Sequence, residues 1–381
     1  MTHSWETAVA AAATAGALPA VDVHLADALG LVLAADVLAG SDLPPFDTSA
    51  MDGWAVAGPS PWKLGGPEAP LLAGSLGGPL APGTAVGIAT GAPLPSGAHA
   101  VLRRERGQVA DGVLHGPELP AGRDVRPRGS ECRAGEVVAA QGLLVRPAAL
   151  GLAAAAGADT LRVIRRPGVD VFVLGDELLD SGPTRDAFVR DALGPLLPGW
   201  LSGLGAAVLG VRRLADTADA LRAALAGSTA DLIVTTGSTA RGPVDHLHRV
   251  LVDLGAELVV DGVAVRPGHP MLLARLPGGR TLVGLPGNPL AAVSGLVTLV
   301  DPALRAMRGA GPVERPLVRL EQAVVGHPVD VRLVPVRGGH PVHHVGPAML
   351  RGLAVADALA VIPPGGAVAG QHVTTLTLPG R

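Results

Sequence analysis

An alternation of short apolar runs with helix-like segments dominates residues 168–308, and no other feature of the sequence constrains the fold as strongly. The runs typical of buried strands lie at residues 169–174, 206–211, 231–235 and 281–285. The helix-like segments lie at residues 218–226, from Pro243 to Gly255, and from Pro289 onward. Strands that alternate with helices predict a parallel sheet with helices on both faces. Such a sheet binds ligands beyond the carboxyl ends of its strands.

The sequence on either side of this region predicts a multidomain α/β plus β protein. Residues 44–135 are interrupted by Gly-Pro, Pro-Gly and Asp-Gly dipeptides, which are typical of a small β-rich module. Residues 1–43 and 136–166 are expected to form one discontinuous linking domain, 167–311 the central α/β domain, and 312–381 a C-terminal β-barrel-like domain. Further helices are expected at 7–15, 26–35, from Pro147 and at 348–356, and further strands at 85–89, 99–102, 317–320, 331–336 and 372–378.

The composition excludes several classes of protein. The 53 glycines and 35 prolines among 381 residues stay just below the roughly 25–30% typical of low-complexity chains. A net charge of −3 gives no sign of a nucleic-acid partner. The single cysteine, Cys132, cannot form an internal disulfide, and the N-terminus lacks a basic signal-peptide start, so a cytoplasmic protein is expected. The two longest charge-free stretches, 194–211 and 281–300, contain prolines and glycines, which argues against a membrane span.

Polar and Gly-rich loops follow three of the predicted strands in the α/β region. Residues 175–177 follow the first strand, residues 236–245 the third, and residues 286–288 the fourth. A Gly-rich turn at the start of a helix exposes unpaired N–H groups and the positive end of the helix dipole, which favours an oxyanion or a phosphate. These loops are therefore interpreted either as an anion-binding crevice or as ordinary tight turns.

The β-rich module contains the densest polar string, PPFDTSAMDGWAV at residues 44–56. Asp47 and Ser49 can satisfy backbone groups of a turn, which is the commoner use of such residues. Alternatively, the acids of the string can supply hard oxygen ligands for Mg²⁺. Thr90 adds a hydroxyl on a turn constrained by Gly and Pro, and the Arg-rich segment 123–136 can form either a solvated loop or a phosphate clamp.

Several familiar catalytic motifs are missing from the sequence. It has no CxxC, HExxH, GxSxG or GxxxxGK[ST] pattern, which argues against zinc hydrolases, serine hydrolases and P-loop NTPases. His340, His343 and His344 resemble metal ligands, but surface histidines in a Gly- and Pro-rich loop are the commoner case. Cys132 lies among arginines without a base partner, so it is not interpreted as a nucleophile.

Seven strings occur in the order known from one family: PPFDTSAMDGWAV, IATGAPLPSGAHAVLRRE, DVRPRGSECRAGE, VFVLGDELL, TTGSTARGPVDHLHRVL, AVRPGHP and GLPGNPLAAVSG. With them the chain resembles, over nearly its whole length, the molybdopterin molybdenumtransferases, a family of molybdenum insertases that includes the C-terminal region of gephyrin. The resemblance implies an α/β domain of molybdopterin-binding type within a four-domain homodimer, its active site formed by the α/β domain of one subunit and the β-rich module of the other. It also implies transfer of molybdate onto the dithiolene of adenylylated molybdopterin, with Mg²⁺-dependent release of AMP.

The resemblance further implies roles for individual residues. The catalytic positions are Asp52, Thr90, Glu131, Glu177 and Asp245, with Glu131 where the family usually has aspartate. Of these, Asp52, Glu177 and Asp245 would hold Mg²⁺. The implied substrate-binding positions are Ser49, Asp191, Gly237, Ser238, Arg266, His269, Pro286, Gly287 and Asn288.

Departures from the family pattern are concentrated in the α/β half of the chain. The altered positions are Leu174, Ala192, Leu193, Ser238, Ala240 and His269. A side chain at Ser238, where the family has glycine, is expected to hinder close backbone approach to a phosphate. The alternative to a working insertase is therefore a catalytically weakened family member that binds a pterin, a nucleotide or a partner protein. A third function, the adenylylation of molybdopterin, fits the α/β domain but not the additional domains.

Overall fold

The computed structural model describes residues 2–66, 69–239, 246–312 and 315–379. The chain forms two compact units. Unit 1 comprises Met1–Val21, Gly30–Ala34 and Val163–Arg381, and unit 2 comprises Asp22–Leu29 and Ala35–Arg162. The division into four domains expected from the sequence is finer than these two units and stays a prediction.

Helices lie mostly in unit 1. Within the described residues the α-helices are α1 (Trp5–Ala12), α2 (Pro147–Ala155), α3 (Leu193–Gly203), α4 (Ala218–Gly227), α5 (Leu247–Asp253), α6 (Pro289–Gly295), α7 (Asp301–Met307) and α8 (Arg351–Val355). A π-helical segment, Leu296–Val300, joins α6 to α7 into one helical run. The side chains of Ser4 and Thr217 cap α1 and α4, and Pro147 and Pro289 begin α2 and α6, as the sequence predicts for the two prolines.

Short strands make up most of the rest of the chain. The first half contains β1 (Ala20–His24), β2 (Val32–Leu33), β3 (Val37–Leu38), β4 (Thr48–Ser49), β5 (Gly53–Ala57), β6 (Trp62–Leu64), β7 (Thr84–Ile88), β8 (Ala100–Arg103), β9 (Gln108–Ala110), β10 (Val113–His115), β11 (Val125–Arg126), β12 (Val137–Ala139) and β13 (Thr160–Ile164). The second half contains β14 (Gly168–Leu174), β15 (Leu178–Leu179), β16 (Val189–Arg190), β17 (Ala207–Leu214), β18 (Leu232–Thr236), β19 (Glu257–Asp261), β20 (Val265–Arg266), β21 (Leu272–Arg275), β22 (Thr281–Leu285), β23 (Leu317–Arg319), β24 (Val324–Val325), β25 (Val331–Arg337), β26 (His340–Pro341), β27 (Ala358–Ile362), β28 (Gly366–Ala367) and β29 (His372–Thr377).

A six-stranded sheet in the order β17-β14-β18-β22-β21-β19 forms the centre of unit 1. β17, β14, β18 and β22 are parallel, as the four apolar runs predict. The expectation of a parallel sheet fails for β21 and β19, which run antiparallel to their neighbours. β21 is joined to β22 by the short turn at residues 276–280, and only antiparallel neighbours can be connected so briefly.

Helices cover both faces of this sheet, as predicted. One face packs against α1, α3 and the helical run from α6 to α7, with Trp5 and Val293 in its core. The other face packs against α4 and α5, with Phe172 and Leu221 in its core. The run Pro289–Met307 is long and apolar enough to cross a membrane, but most of it is buried inside the protein, as in an ordinary core helix.

Unit 2 is organised around a second six-stranded sheet, in the order β8-β5-β7-β6-β10-β9. The strands expected at residues 85–89 and 99–102 are confirmed as β7 and β8. One side of this sheet buries Ala55 and Val101, and a separate cluster contains Trp62 and Leu114. Because β5 pairs with both β7 and β8, the residue just before β5 is held at a defined position.

The C-terminal part of unit 1 forms a sheet in the order β20-β25-β27-β29-β23, with β26 paired to β25. The strands expected at 317–320, 331–336 and 372–378 are confirmed as β23, β25 and β29. The helix expected at 348–356 is the shorter α8. The barrel-like closure of this domain stays a prediction.

One local expectation is wrong, one helix was not predicted, and one expectation falls outside the described residues. Residues 26–35 do not form a helix, because Gly30 has φ +76° and the buried pair of β2 joins β13 instead. The sequence did not predict α3, whose Pro198 and glycines mask a buried stripe at Leu193, Leu197 and Leu201. The helix start expected at Pro243 lies outside the described residues.

Candidate active site

Asp52 and Thr90 form an organised polar pair in unit 2. The backbone N–H of Thr90 donates to Asp52 Oδ1 at 2.7 Å, and the Thr90 hydroxyl donates to the same oxygen at 3.0 Å. These bonds lower the pKa of the Asp52 carboxyl, the backbone bond most, with a smaller contribution from the charge of Arg104. Both residues are exposed. The pair therefore presents an ionised carboxylate whose second oxygen has no partner within the described residues.

Strand register explains why Asp52 and Thr90 meet. Gly53, the first residue of β5, pairs with Ile88, the last residue of β7, so the residues just beyond both strands lie side by side. A side chain at Gly53 would overlap the carbonyl oxygen of Leu102 on β8. Glycine is therefore required for this close pairing, and the Asp-Gly dipeptide fixes the position of the acid.

Asp47 and Ser49 hold the loop that leads to Asp52. Asp47 Oδ1 accepts the backbone N–H of Arg128 at 2.8 Å. The Ser49 hydroxyl is buried and donates to the carbonyl oxygen of Met51 at 2.5 Å. The turn-forming interpretation of Asp47 and Ser49 is therefore confirmed, and the substrate contact implied for Ser49 stays a prediction.

The Arg-rich segment of the module contains ion pairs. Arg128 Nε donates to Asp42 Oδ2 at 2.5 Å, and Arg123 lies 3.4 Å from Asp124. These pairs do not support the phosphate-clamp interpretation for the two arginines. Glu131 is exposed in the same segment, and its carboxylate has no partner in the part of the chain that the structure describes.

At the carboxyl edge of the unit 1 sheet, the loops after β14, β18 and β22 converge because these three strands are parallel neighbours. Gly237, directly after β18, lies between the other two loops. Its N–H donates to the carbonyl oxygen of Leu285 at 2.9 Å, and a Cβ at this position would lie 3.3 Å from the carbonyl oxygen of Leu174. With φ +80°, its backbone conformation suits glycine. Gly237 is therefore the point at which the three loops contact one another, the joint of this edge.

This geometry corrects the expected role of the Gly237 amide. Because its N–H is bonded to Leu285, it cannot donate to a phosphate. The N–H groups of Gly287 and Asn288 have no partner within the described ranges, and both residues are exposed, whereas Pro286 is buried. They precede the helical run that starts with α6, so its dipole adds to these two donors. The backbone N–H groups that this edge leaves open within the described ranges are therefore those of residues 287 and 288, and the substrate contacts implied for them stay predictions.

Glu177 is exposed in the loop after β14, and its carboxylate folds over Gly175. A Cβ at Gly175 would lie 2.9 Å from Glu177 Oε2. Arg213 on β17 holds this loop by donating to the carbonyl oxygens of Gly175 at 3.2 Å and Asp176 at 3.4 Å. The sequence did not indicate Arg213, because only the register that pairs it with Val173 brings it to this loop.

Ser238 and Asp191 use their side chains to hold backbone. Ser238 has φ +56°, and its hydroxyl accepts the N–H of His246 at 2.8 Å, next to the start of α5. The side chain expected to hinder a phosphate is thus turned toward this helix. Asp191 Oδ1 accepts the N–H groups of Leu193 and Gly194 at 2.9 Å each, which caps α3. The substrate contacts implied for both residues stay predictions.

Arg266 and His269 lie on the segment that leaves β20. Arg266 Nε donates to Asp330 Oδ2 at 2.8 Å, so its charge is paired within the C-terminal sheet. His269 Nδ1 bonds to the carbonyl oxygen of Val263 at 2.8 Å. Because a carbonyl oxygen only accepts, Nδ1 carries a proton, and Nε2 is the free ring nitrogen of the neutral form. A Cβ on Gly268 would lie 3.0 Å from a carbonyl oxygen of α6, so this segment packs against that helix.

Asp245, the third expected Mg²⁺ ligand, lies outside the described residues. Within those that are described, no group of three or more His, Cys, Asp or Glu side chains is placed to hold a metal ion. His340, His343 and His344 are all exposed, as the surface interpretation expects. Cys132 is buried and free, as suits a thiol without a catalytic role.

Two family models match the chain. The model of the MoeA N-terminal region, domains I and II, matches residues 3–157, and the model of a probable molybdopterin-binding domain matches residues 170–306. A curated relative from Staphylococcus aureus, named molybdopterin molybdenumtransferase, is 31% identical over 307 residues, which are 77% of this chain and 73% of the relative. The chain belongs to the molybdopterin molybdenumtransferase family.

Other comparisons agree with this membership in a family of transferases. A relative from Mycobacterium tuberculosis, named molybdopterin molybdenumtransferase 2, is 34% identical over 322 residues, 78% of this chain and 77% of the relative. The crystal structure of a molybdopterin biosynthesis MoeA protein from Pyrococcus horikoshii matches 99% of both chains with a TM-score of 0.82 and 26% identity. Within the family pattern, the Asp52–Thr90 pair lies in the first matched region and the joint at Gly237 in the second.

Proposed function

We propose that this chain is a molybdenum insertase of molybdenum cofactor synthesis. It transfers molybdate onto the dithiolene of adenylylated molybdopterin and releases AMP, with Mg²⁺ required. The observation that carries the proposal is the ionised, exposed carboxylate of Asp52, which Thr90 holds through two bonds to one oxygen. Family membership supplies the class of substrate, and the α/β edge supplies groups suited to its phosphates.

The backbone donors at the α/β edge suit the anionic part of the substrate. The N–H groups of Gly287 and Asn288 would donate to phosphate oxygens at the start of the helical run, where the dipole also favours negative charge. The bond from Gly237 to Leu285 keeps the neighbouring loop in place beside them. Arg213 fixes the loop that carries Glu177 through bonds to backbone carbonyls.

Asp52 and Glu177 fit the hard oxygen ligands that Mg²⁺ requires. Both are exposed carboxylates, and the bonds from Thr90 keep Asp52 ionised. Proteins usually hold Mg²⁺ through one or two carboxylates completed by substrate phosphates and water, so a preformed cluster of three acids is not needed. When bound, the metal would offset negative charge as the phosphoanhydride is cleaved. Asp245 is proposed as a further ligand on the family pattern alone.

The proposal is tested by incubating the purified full chain with adenylylated molybdopterin, molybdate and Mg²⁺ and measuring AMP. We expect AMP release that stops when either molybdate or Mg²⁺ is omitted. AMP release that does not depend on molybdate would indicate a hydrolase instead of an insertase. A chain that neither binds the substrate nor releases AMP would overturn the proposal.

One set of observations favours the second function, a binding protein with weakened turnover. At the α/β edge the side chains of Asp191, Ser238 and Arg266 are all engaged by the protein itself. The same assay separates the two functions, since tight binding of adenylylated molybdopterin without AMP release would identify the weakened member.

We also propose that the chain forms a homodimer and acts in the cytoplasm. Light scattering on the purified protein should give twice the mass of one chain, and a monomer at micromolar concentration would contradict this. Cell fractionation with antibody detection should recover the protein with soluble cytoplasmic markers.

A further inference from the structure

The C-terminal sheet borders an open cavity of about 650 Å³ that the proposed reaction does not use. Its lining is basic and consists of Arg337, His340, Pro341, Val342, His343, His344, Arg351 and Val355. All eight residues belong to the part of the chain that the structure describes, and the lining contains no Asp or Glu. Cavities of this size suit small ligands.

A tight hairpin places the first two basic groups. Gly338 and Gly339 have φ +54° and +82°, the pair of left-handed conformations that a type I′ turn between β25 and β26 requires. Arg337 and His340 are directly opposite each other in the register of this hairpin. Opposed residues of antiparallel strands share a face, so both side chains lie on one side of the hairpin.

A glycine in α8 places the other arginine. A side chain at Gly352 would overlap the carbonyl oxygen of His343 and would lie 2.8 Å from that of His344, so only glycine lets α8 approach this loop. The preceding residue, Arg351, consequently lies beside the loop, with Nη1 3.3 Å from His344 Nε2. A guanidinium only donates, so His344 accepts through Nε2 and is neutral in this contact.

Two acids in this part of the chain already have hydrogen-bond or ion-pair partners. The Asp357 carboxylate accepts an N–H of the hairpin turn at 2.8 Å, and Glu321 is paired with Arg319 at 3.1 Å. Among the described residues, no carboxylate oxygen lies within 4.0 Å of a guanidinium nitrogen of Arg337 or Arg351, so neither arginine forms an ion pair there. The lining therefore contains two guanidinium groups that form no ion pair within the described residues, together with three imidazoles.

We propose that this cavity binds a tetrahedral oxyanion with two or more negative charges, of the phosphate type. A guanidinium presents paired N–H donors that match two oxygens of such an anion. An anion between Arg351 and His344 replaces their direct contact of 3.3 Å.

Isothermal titration calorimetry of the full chain with orthophosphate tests this inference. We expect saturable binding at one site per chain. Arg351→Gln and Arg337→Gln should each weaken binding about tenfold. Arg319→Gln removes an exposed arginine of the same sheet that is already paired, so it should leave binding unchanged.

Molybdate, titrated separately, identifies the source of the oxyanion. Molybdate binding that is lost in Arg351→Gln would show that the site also takes this substrate, and binding of orthophosphate alone would indicate a phosphate ligand; either result supports the inference. Orthophosphate binding that is equal in the Arg337→Gln and Arg351→Gln variants and in the unmodified chain would overturn it. Zn²⁺ binding without any oxyanion binding would also overturn it. Because no turnover is measured, none of these failures bears on the insertase proposal.

Discussion

The β-rich module and the α/β edge use the same kinds of polar residue in opposite ways. In the module, one carboxylate oxygen of Asp52 accepts both hydrogen bonds from Thr90, and the other oxygen has no partner among the described residues. At the α/β edge, Asp191 and Ser238 direct their side chains to backbone N–H groups of the protein itself. A residue type that matches a family position therefore does not by itself show that its chemistry is available to a ligand.

The two regions also differ in whether side-chain or backbone groups are available to a ligand. The module offers a side-chain acid, whereas the α/β edge offers the N–H groups of Gly287 and Asn288 next to the joint at Gly237. Substitutions at this edge that leave the backbone unchanged should accordingly be tolerated better than substitutions in the module. The departures from the family pattern lie in the α/β half of the chain, where such substitutions should be tolerated better.

The largest effect is expected for Asp52→Asn, which removes the charge from the module. AMP release should fall by about 10²–10³-fold, because the site would lose a carboxylate that holds the Mg²⁺ ion, which offsets charge as the phosphoanhydride is cleaved. The amide oxygen can still accept the N–H of Thr90, so the circular dichroism spectrum should not change. The exposed Asp159 of the same unit provides the control, since Asp159→Asn should keep full activity. Unimpaired turnover in Asp52→Asn would remove Asp52 from the site.

The next largest effect is expected for Gly237→Ala, which strains the joint at the α/β edge. The alanine would adopt φ +80° and meet the carbonyl oxygen of Leu174 at 3.3 Å. We expect a loss of about 1–2 kcal/mol in the free energy of unfolding and about tenfold slower AMP release, since small misplacements of binding groups reduce rates strongly. Urea unfolding and the AMP assay measure the two losses.

Gly255→Ala is the matched control for this joint. Gly255 has φ +68°, but nothing lies within 4 Å of an added Cβ. It should cost about 1 kcal/mol of stability from backbone strain alone and leave turnover unchanged. Equal losses of activity in both variants would show that backbone strain, and not the convergence of the loops, limits the reaction.

The four parallel strands and the helical run from Pro289 could be predicted because their signals are local. Continuous apolar runs and a proline at the first helical position do not depend on partners elsewhere in the chain. The antiparallel edge of β21 and β19 could not be predicted, because strand direction depends on how the intervening loop closes. α3 was missed because Pro198 and its glycines weaken a helical signal that the buried stripe of leucines restores only after packing.

The candidate site divides in the same way. Asp52 was found because its motif is continuous, and the sequence pattern placed Glu177 in the loop after the first strand of the sheet. Arg213 could not be found, since its bonds to the Glu177 loop depend on the register between β17 and β14. The hydrogen bond from the Gly237 N–H to the Leu285 carbonyl oxygen could likewise not be found. It depends on contact between two strands that are far apart in sequence.

A smaller effect is expected for Asp191→Ala, which removes the cap of α3. The variant should lose about 1 kcal/mol in the free energy of unfolding, because the N–H groups of Leu193 and Gly194 lose their acceptor. Asp191→Ser keeps a capping oxygen and should recover most of the stability in urea unfolding. A raised KM for adenylylated molybdopterin in the stable serine variant would show that Asp191 also contacts the substrate, against the structural role argued above.

The smallest effect is expected for Thr90→Val, which removes one of the two bonds that hold Asp52 Oδ1. These bonds lower the pKa of Asp52 below 3.8, so the carboxylate and its bonds are present above that value and are lost as the pH falls through the lowered pKa. The valine variant keeps the backbone N–H bond, which is the larger cause, and loses only the hydroxyl bond. Its Asp52 pKa should therefore rise part of the way back, and the acid limb of AMP release should move to higher pH. Thr90→Ser keeps a hydroxyl and should retain the original limb, whereas a limb that does not move in Thr90→Val would show that the backbone bond alone organises the acid.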